Sequence, residues 1–155
     1  GHDPHFVAAG ATDFDQLWQQ NHCGIFRSRD GAATWDAVSQ KGNVIHFGFA
    51  VAVDERNPEV AWVVPADSDQ VRLAPQAALC VGRTDDGGKS WKELRHGLPQ
   101  ENAFDVTYRH ALDAVGDSVA FGTTTGNVYI SDDRGEHWQA LGNNLPPVHS
   151  LRFIR

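Results

Sequence analysis

The sequence predicts an all-β protein of three four-stranded antiparallel units, and three observations carry that expectation. First, an eight-residue phrase is written three times: Ser28-Arg29-Asp30-Gly31-Ala32-Ala33-Thr34-Trp35, Thr84-Asp85-Asp86-Gly87-Gly88-Lys89-Ser90-Trp91 and Ser131-Asp132-Asp133-Arg134-Gly135-Glu136-His137-Trp138. The copies begin 56 and 47 residues apart, and a period near 50 residues marks a repeat architecture. Second, each phrase is flanked by short strand-like segments. Third, the 155 residues include 15 glycines and 10% aromatics, with no sustained helical period, a composition suited to short strands and tight turns.

Within each phrase an Asp follows two residues after Ser or Thr, and a small residue follows the Asp. The carboxylate can accept hydrogen bonds from backbone N–H groups of a turn, and glycine reaches positive φ at little cost. The preceding residues favour strand: Gly24-Ile25-Phe26-Arg27, Cys80-Val81-Gly82-Arg83 and Asn127-Val128-Tyr129-Ile130. Short segments follow each Trp (Asp36-Ala37-Val38, Lys92-Glu93-Leu94, Gln139-Ala140-Leu141). Each phrase therefore reads as a hairpin turn whose Trp folds back onto the apolar face. Asp30, Asp86 and Asp133 are expected to staple these turns, with Trp35, Trp91 and Trp138 as packing residues.

Upstream of each phrase lies a second repeated element. Gln16-Leu17-Trp18-Gln19, Val60-Ala61-Trp62-Val63 and Val119-Ala120-Phe121-Gly122 each set an aromatic in an apolar strand. Trp18 and Phe121 lie 10 residues before their phrases and Trp62 lies 22 before its own, so the second unit carries an insertion, placed at residues 65–76. Innermost strands are predicted at Phe6-Val7-Ala8-Ala9, at residues 49–53 and at residues 106–110.

The phrase resembles the Asp-box, or BNR repeat, of sialidases, sortilin-type receptors and related β-propellers. Thr84–Trp91 fits the S/T-x-D-x-G-x-T/S-W pattern throughout, whereas Ala32 replaces the usual Gly and His137 the usual Thr. The resemblance covers essentially the whole chain. It implies about three four-stranded antiparallel blades of an Asp-box β-propeller, a partial propeller over residues 1–155. The blades are expected at approximately 2–42, 43–100 and 101–145, with residues 146–155 as an extra inner strand. Closed propellers use at least about four blades. The chain, which lacks Met, is therefore expected to be the C-terminal half of a larger ring, or a short protein that self-associates to complete one.

The net charge is −7, from 20 acidic and 13 basic residues, which argues against nucleic acid or an anionic membrane as partner. No apolar run approaches a membrane span, and no signal peptide is visible. Cys23 and Cys80 fall out of phase in their repeats and are expected to be buried free thiols, since disulfide scaffolds are richer in cysteine. The compartment stays open, with a lean towards cytoplasmic.

Because antiparallel strands alternate direction, the boxes share a face with the turns between first and second strands. The resemblance places a functional mouth on the opposite face. That face collects His2, Asp3, His5, His22, His46, Asp67, Asp69, Glu101, Asp105 and His149, with Tyr108 on an inner strand beside Arg109. Asp3, Glu101, Asp105 and Tyr108 are the catalytic candidates. A glycosidase needs two carboxylates, one protonating the leaving oxygen while the other attacks or activates water, and no spacing here singles out a pair. His5, His22, His46, Asp67, Asp69 and His149 are the ligand-face candidates. No cofactor is expected, and no metal motif is matched, but His2, His5, His22 and His46 form an alternative set of nitrogen ligands.

Three functions remain open. The first is a BNR-repeat, sialidase-like glycosyl-hydrolase propeller that binds or processes carbohydrate through the face opposite the boxes. The second is a non-catalytic propeller for protein binding or assembly, and the third a partial protein with no activity of its own. Because a propeller pocket draws residues from every blade, the isolated chain is expected not to hydrolyse glycosides.

Overall fold

The computed structural model describes residues 3–154. Among these, three four-stranded antiparallel sheets follow one another along the chain, each with its strands in sequence order. The first contains β1 (Pro4–Ala9), β2 (Leu17–Asn21), β3 (Gly24–Ser28) and β4 (Asp36–Ala37). The second contains β5 (Gly48–Val53), β6 (Ala61–Pro65), β7 (Val81–Thr84) and β8 (Lys92–Leu94). The third contains β9 (Leu112–Val115), β10 (Ser118–Gly122), β11 (Val128–Ser131) and β12 (Gln139–Gly142). These are the three blades, and the architecture is all-β.

The burial pattern follows from the order of the blades. Every residue of β6 and β7 is buried, because the second blade has a neighbour on each side and both its faces are covered. That is why Ala61-Trp62-Val63-Val64 runs apolar without alternation. In contrast, β1 alternates between covered and exposed residues, and β12 is largely exposed. One apolar cluster, containing Trp18, Ile25, Val51 and Val63, joins blades one and two. Another, containing Trp62, Leu94, Phe121 and Trp138, joins blades two and three. The outer flanks leave Val7, Phe14, Leu141 and Ile154 exposed.

All three phrases adopt the same hydrogen-bonded turn. Ser28, Thr84 and Ser131 each donate a hydroxyl to the Asp two residues on, at 2.7–2.9 Å. The same hydroxyls accept from the N–H of Ala32, Gly88 and Gly135. The Asp Oδ1 accepts the N–H of Thr34, Ser90 and His137, each at 2.9 Å. Two consecutive positive-φ residues close each turn, including Ala32 (φ 74°) and Arg134 (φ 63°) where the other copies carry glycine. The next contact fixes the face: the N–H of Gly31, Gly87 and Arg134 donates to the carbonyl of Asp15, Glu59 and Asp117, in the turns between first and second strands.

Tryptophans then fasten blade to blade. Trp18 Nε1 donates to Pro58 O, Trp91 Nε1 to Val38 O and Trp62 Nε1 to Arg134 O. Arg27, fully buried, forms an ion pair with Glu59 of the second blade and stacks on Trp18. Arg134 reaches back from the third box to Asp54, at 2.9 Å.

Three expectations are corrected. The inner strand of the third blade is β9, not residues 106–110, because that segment is drawn aside. Asp105 Oδ1 accepts from Thr125 and Asn127, Thr124 N–H donates to Val106 O, and Ala111 N–H turns back to Tyr108 O. The last segment is not a strand within the described residues. It makes a single parallel bridge, Ser150 to His110; Pro146 and Pro147 supply no N–H, and Phe153 N–H donates to the Asp113 carboxylate instead of a ladder. Finally, Cys80 is buried but Cys23 is exposed, on the tight turn between β2 and β3, and the two form no disulfide. Burial pushes the Cys80 thiol up to about 12.

Candidate functional site

Opposite the boxes, two irregularities in the inner strands build the site. The β1–β2 register pairs Pro4 with Asn21 and Phe6 with Gln20, so His5 is an extra residue in the ladder. The β5–β6 register pairs Gly48 with Pro65 and Val51 with Val63, which bulges β5 at Phe49 and Ala50. A bulge bends its strand and re-aims a side chain. Both occur at the same end of the blades, and they bring His5 and Phe49 into a stack at 4.6 Å between centroids.

From that stack a row of rings crosses the face. His22 meets His5 edge-on at 5.2 Å, Phe49 meets Tyr108 at 5.2 Å, and Tyr108 stacks on His149 at 6.0 Å. Phe47 touches His5, His22 and Phe49. Arg72, from the insertion between β6 and β7, lies over Phe49 and donates to Tyr108 OH at 3.3 Å. Phe47, Phe49, Val106 and Ala66 form a small buried apolar cluster with Tyr108 packed against it.

A polar chain is attached at the first-blade end. His5 Nδ1 lies 2.7 Å from Gly48 O, and His5 Nε2 lies 3.3 Å from His22 Nδ1. His22 Nε2 is 2.9 Å from Asp69 Oδ2, and its Nδ1 is 3.6 Å from Asp3 Oδ2. His22 N–H also donates to Asp3 O, which ties the β2–β3 turn to the start of β1. Burial pulls the His5 imidazole below its ordinary pKa, against the Gly48 carbonyl, so it is neutral near pH 7. The hydrogen bond from His22 lowers the Asp69 carboxyl.

The sequence candidates divide accordingly. His5, His22, Asp3, Asp69, Tyr108 and His149 come together. His46 stands apart: it contacts Ser39 at 3.0 Å, burial and Lys41 lower its pKa, and with Asp67 it lines a separate groove of about 350 Å³ that also includes Lys41, Asn43 and Gln76. Asp105 is buried in the Thr125–Asn127 anchor, and Glu101 is exposed on the β8–β9 connection. His2 lies outside the described residues. The larger cavity, about 610 Å³, runs between β4 and the second box and contains none of these candidates. Sequence reasoning missed Arg72 and both bulges. Arg72 sits in an insertion without a repeat partner, and a bulge has no residue signature of its own.

Chemically, the mouth offers ring faces, guanidinium groups and engaged carboxylates. Asp3 and Asp69 both address His22, and Asp105 is committed to its own loop. Exposed Val71 (47%) and Phe104 (54%) stand on two connections of this face, and Arg109 is exposed beside Tyr108.

No protein-family model and no curated protein matches this chain. Solved structures do. YCF48 from Cyanidioschyzon merolae is 19% identical with a TM-score of 0.61, over 90% of this chain and 37% of that one. YCF48 bound to D1 peptide is 20% identical with a TM-score of 0.63, over 95% and 43%. The GH74 xyloglucanase from Xanthomonas campestris is 17% identical with a TM-score of 0.66, over 89% and 20%. The chain thus spans less than half the length of each of these proteins. What the likeness shows is the fold: three consecutive blades of a β-propeller.

Proposed function

We propose that this chain is a non-catalytic binding propeller whose mouth, opposite the boxes, takes an extended polypeptide segment of acidic and apolar character. The observation that carries the reading is the state of the mouth's carboxylates. Asp3 and Asp69 are both turned on one imidazole, and Asp105 is anchored by Thr125 and Asn127. Glycoside hydrolysis needs an acid and a base free to act on the bond, and these three are already engaged. Arg72 and Arg109 would meet acidic side chains of the partner, while Val71, Phe104 and the Tyr108 ring would take its apolar ones. One structural neighbour, YCF48, was solved with a peptide bound, which supports the class of partner.

The groove lined by His46 and Asp67 favours a second reading, carbohydrate binding, because polar side chains line it together with Phe47. Selection from a random peptide library and screening on a glycan array separate the two. Enriched acidic-apolar peptides, weakened about tenfold by Arg72→Ala and by Phe104→Ser, are the expected result. Glycan binding lost in Asp67→Ala and retained in Arg72→Ala would favour carbohydrate instead.

A further inference from the structure

The His5–His22 contact sits beside a carboxylate on each side of His22. His5 Nδ1 is 2.7 Å from the Gly48 carbonyl, which can only accept, so Nδ1 carries the proton and Nε2 presents a lone pair. His22 Nε2 is 2.9 Å from the Asp69 carboxylate, so that nitrogen donates and Nδ1 is the atom turned to His5. His5 Nε2 and His22 Nδ1 face one another at 3.3 Å. A carboxylate oxygen of Asp3 adds a third electron-rich atom, 3.6 Å from His22 Nδ1, and one donor atom from each residue falls within 4.8 Å of the others. Three ligand atoms gathered this closely are suited to share one cation.

We propose that Asp3, His5 and His22 hold a divalent transition-metal ion of the zinc class. Nitrogens bound to a tetrahedral zinc at about 2.0–2.1 Å are about 3.3–3.4 Å apart, which matches the separation of His5 Nε2 and His22 Nδ1. The second layer has the form that metal-bound histidines need: each imidazole donates its remote N–H, one to a backbone carbonyl and the other to a carboxylate, which fixes tautomer and ring orientation. Mixed nitrogen and carboxylate donors suit zinc and its neighbours better than calcium or magnesium, which prefer all-oxygen sets. The β1 bulge supplies the site, because it turns the out-of-register His5 towards His22. Bound metal would join the start of β1 to the β2–β3 turn and, through Gly48 and Asp69, steady two elements of the second blade. The site lies in the same mouth, and zinc affinity is read without reference to the ligand the mouth takes.

The test is a zinc titration of the chelator-treated 155-residue chain by calorimetry, with circular dichroism as the fold control. One zinc per chain is expected. Asp69→Asn should weaken it about tenfold through the second layer, Asp3→Asn and His22→Ala should weaken it by at least as much, and His96→Ala should leave it unchanged. The two Asp→Asn variants change exposed or half-exposed side chains, so they keep the test readable if His22→Ala does not fold. Absence of zinc binding, or binding indifferent to Asp3→Asn and Asp69→Asn, overturns the proposal. So does imidazole nitrogen NMR showing one proton shared between His5 and His22 in the presence of equimolar zinc, which would identify the cation as a proton.

Discussion

At the scale of residues, the box aspartates do ionic work in a local setting. Asp86 is held to about 2, chiefly by the Ser90 hydroxyl and N–H, and Asp133 to about 2, chiefly by the His137 N–H. The ordinary value is 3.8, so the folded chain keeps these carboxylates charged at a pH where the unfolded chain has protonated them. Their contribution is fully present above the unfolded value and is lost as pH falls through about 2. The melting temperature should therefore drop between pH 4 and pH 2. Replacing both by Asn, which keeps an acceptor oxygen but cannot titrate, should flatten that drop. An unchanged slope in thermal scans of Asp86→Asn with Asp133→Asn would show that other groups dominate. The residues of this pattern were legible in the sequence, because a hydroxyl, a carboxylate and a small residue at fixed spacing define the turn locally. His5 was not legible as a strand residue, since its direction depends on a bulge set by the pairing of β1 with β2.

At the scale of elements, each blade is held to the next by a few aimed side chains over an apolar seam. The tightest is Arg27, buried without solvent exposure, which meets Glu59 across the first seam and Gln16 within its own blade. A buried guanidinium without its carboxylate is costly, whereas an apolar pair of similar volume is close to neutral. Glu59→Ala should thus lower stability by about 2 kcal/mol, less than for a fully buried pair because Glu59 is 44% exposed, and Glu59→Ala combined with Arg27→Met by much less. Urea unfolding of the four members of that cycle measures it, and equal losses in the single and double variants would place the energy of the seam elsewhere. Strand positions followed from apolar spacing, Trp18, Trp62 and Phe121 above all. The third inner strand was misplaced because Val106-Thr107-Tyr108 has strand-like residues, yet Asp105 and Thr124 anchor that stretch to the β10–β11 turn. Sequence spacing does not reveal such a tertiary anchor.

At the scale of the whole molecule, the three blades separate two kinds of surface. One end carries three near-identical turns, closed by their own hydrogen bonds and tied to the neighbouring turns. Among the described residues, the other end differs from blade to blade: a bulged His5, a row of rings, an inserted loop with Arg72, and exposed Val71 and Phe104. We propose that the uncovered flanks, with Val7, Phe14 and Leu141 exposed, meet further blades or a second copy, as the radial build of a propeller requires. The boxes maintain the fold, and we propose that the opposite face binds. The most direct measurement is the affinity of one library-selected peptide for folded Asp86→Ala and folded Arg72→Ala, side by side with the parent chain. The account predicts parental affinity for Asp86→Ala despite its lower melting temperature, and about tenfold weaker binding for Arg72→Ala at unchanged stability. Loss of binding in Asp86→Ala with parental binding in Arg72→Ala would contradict it.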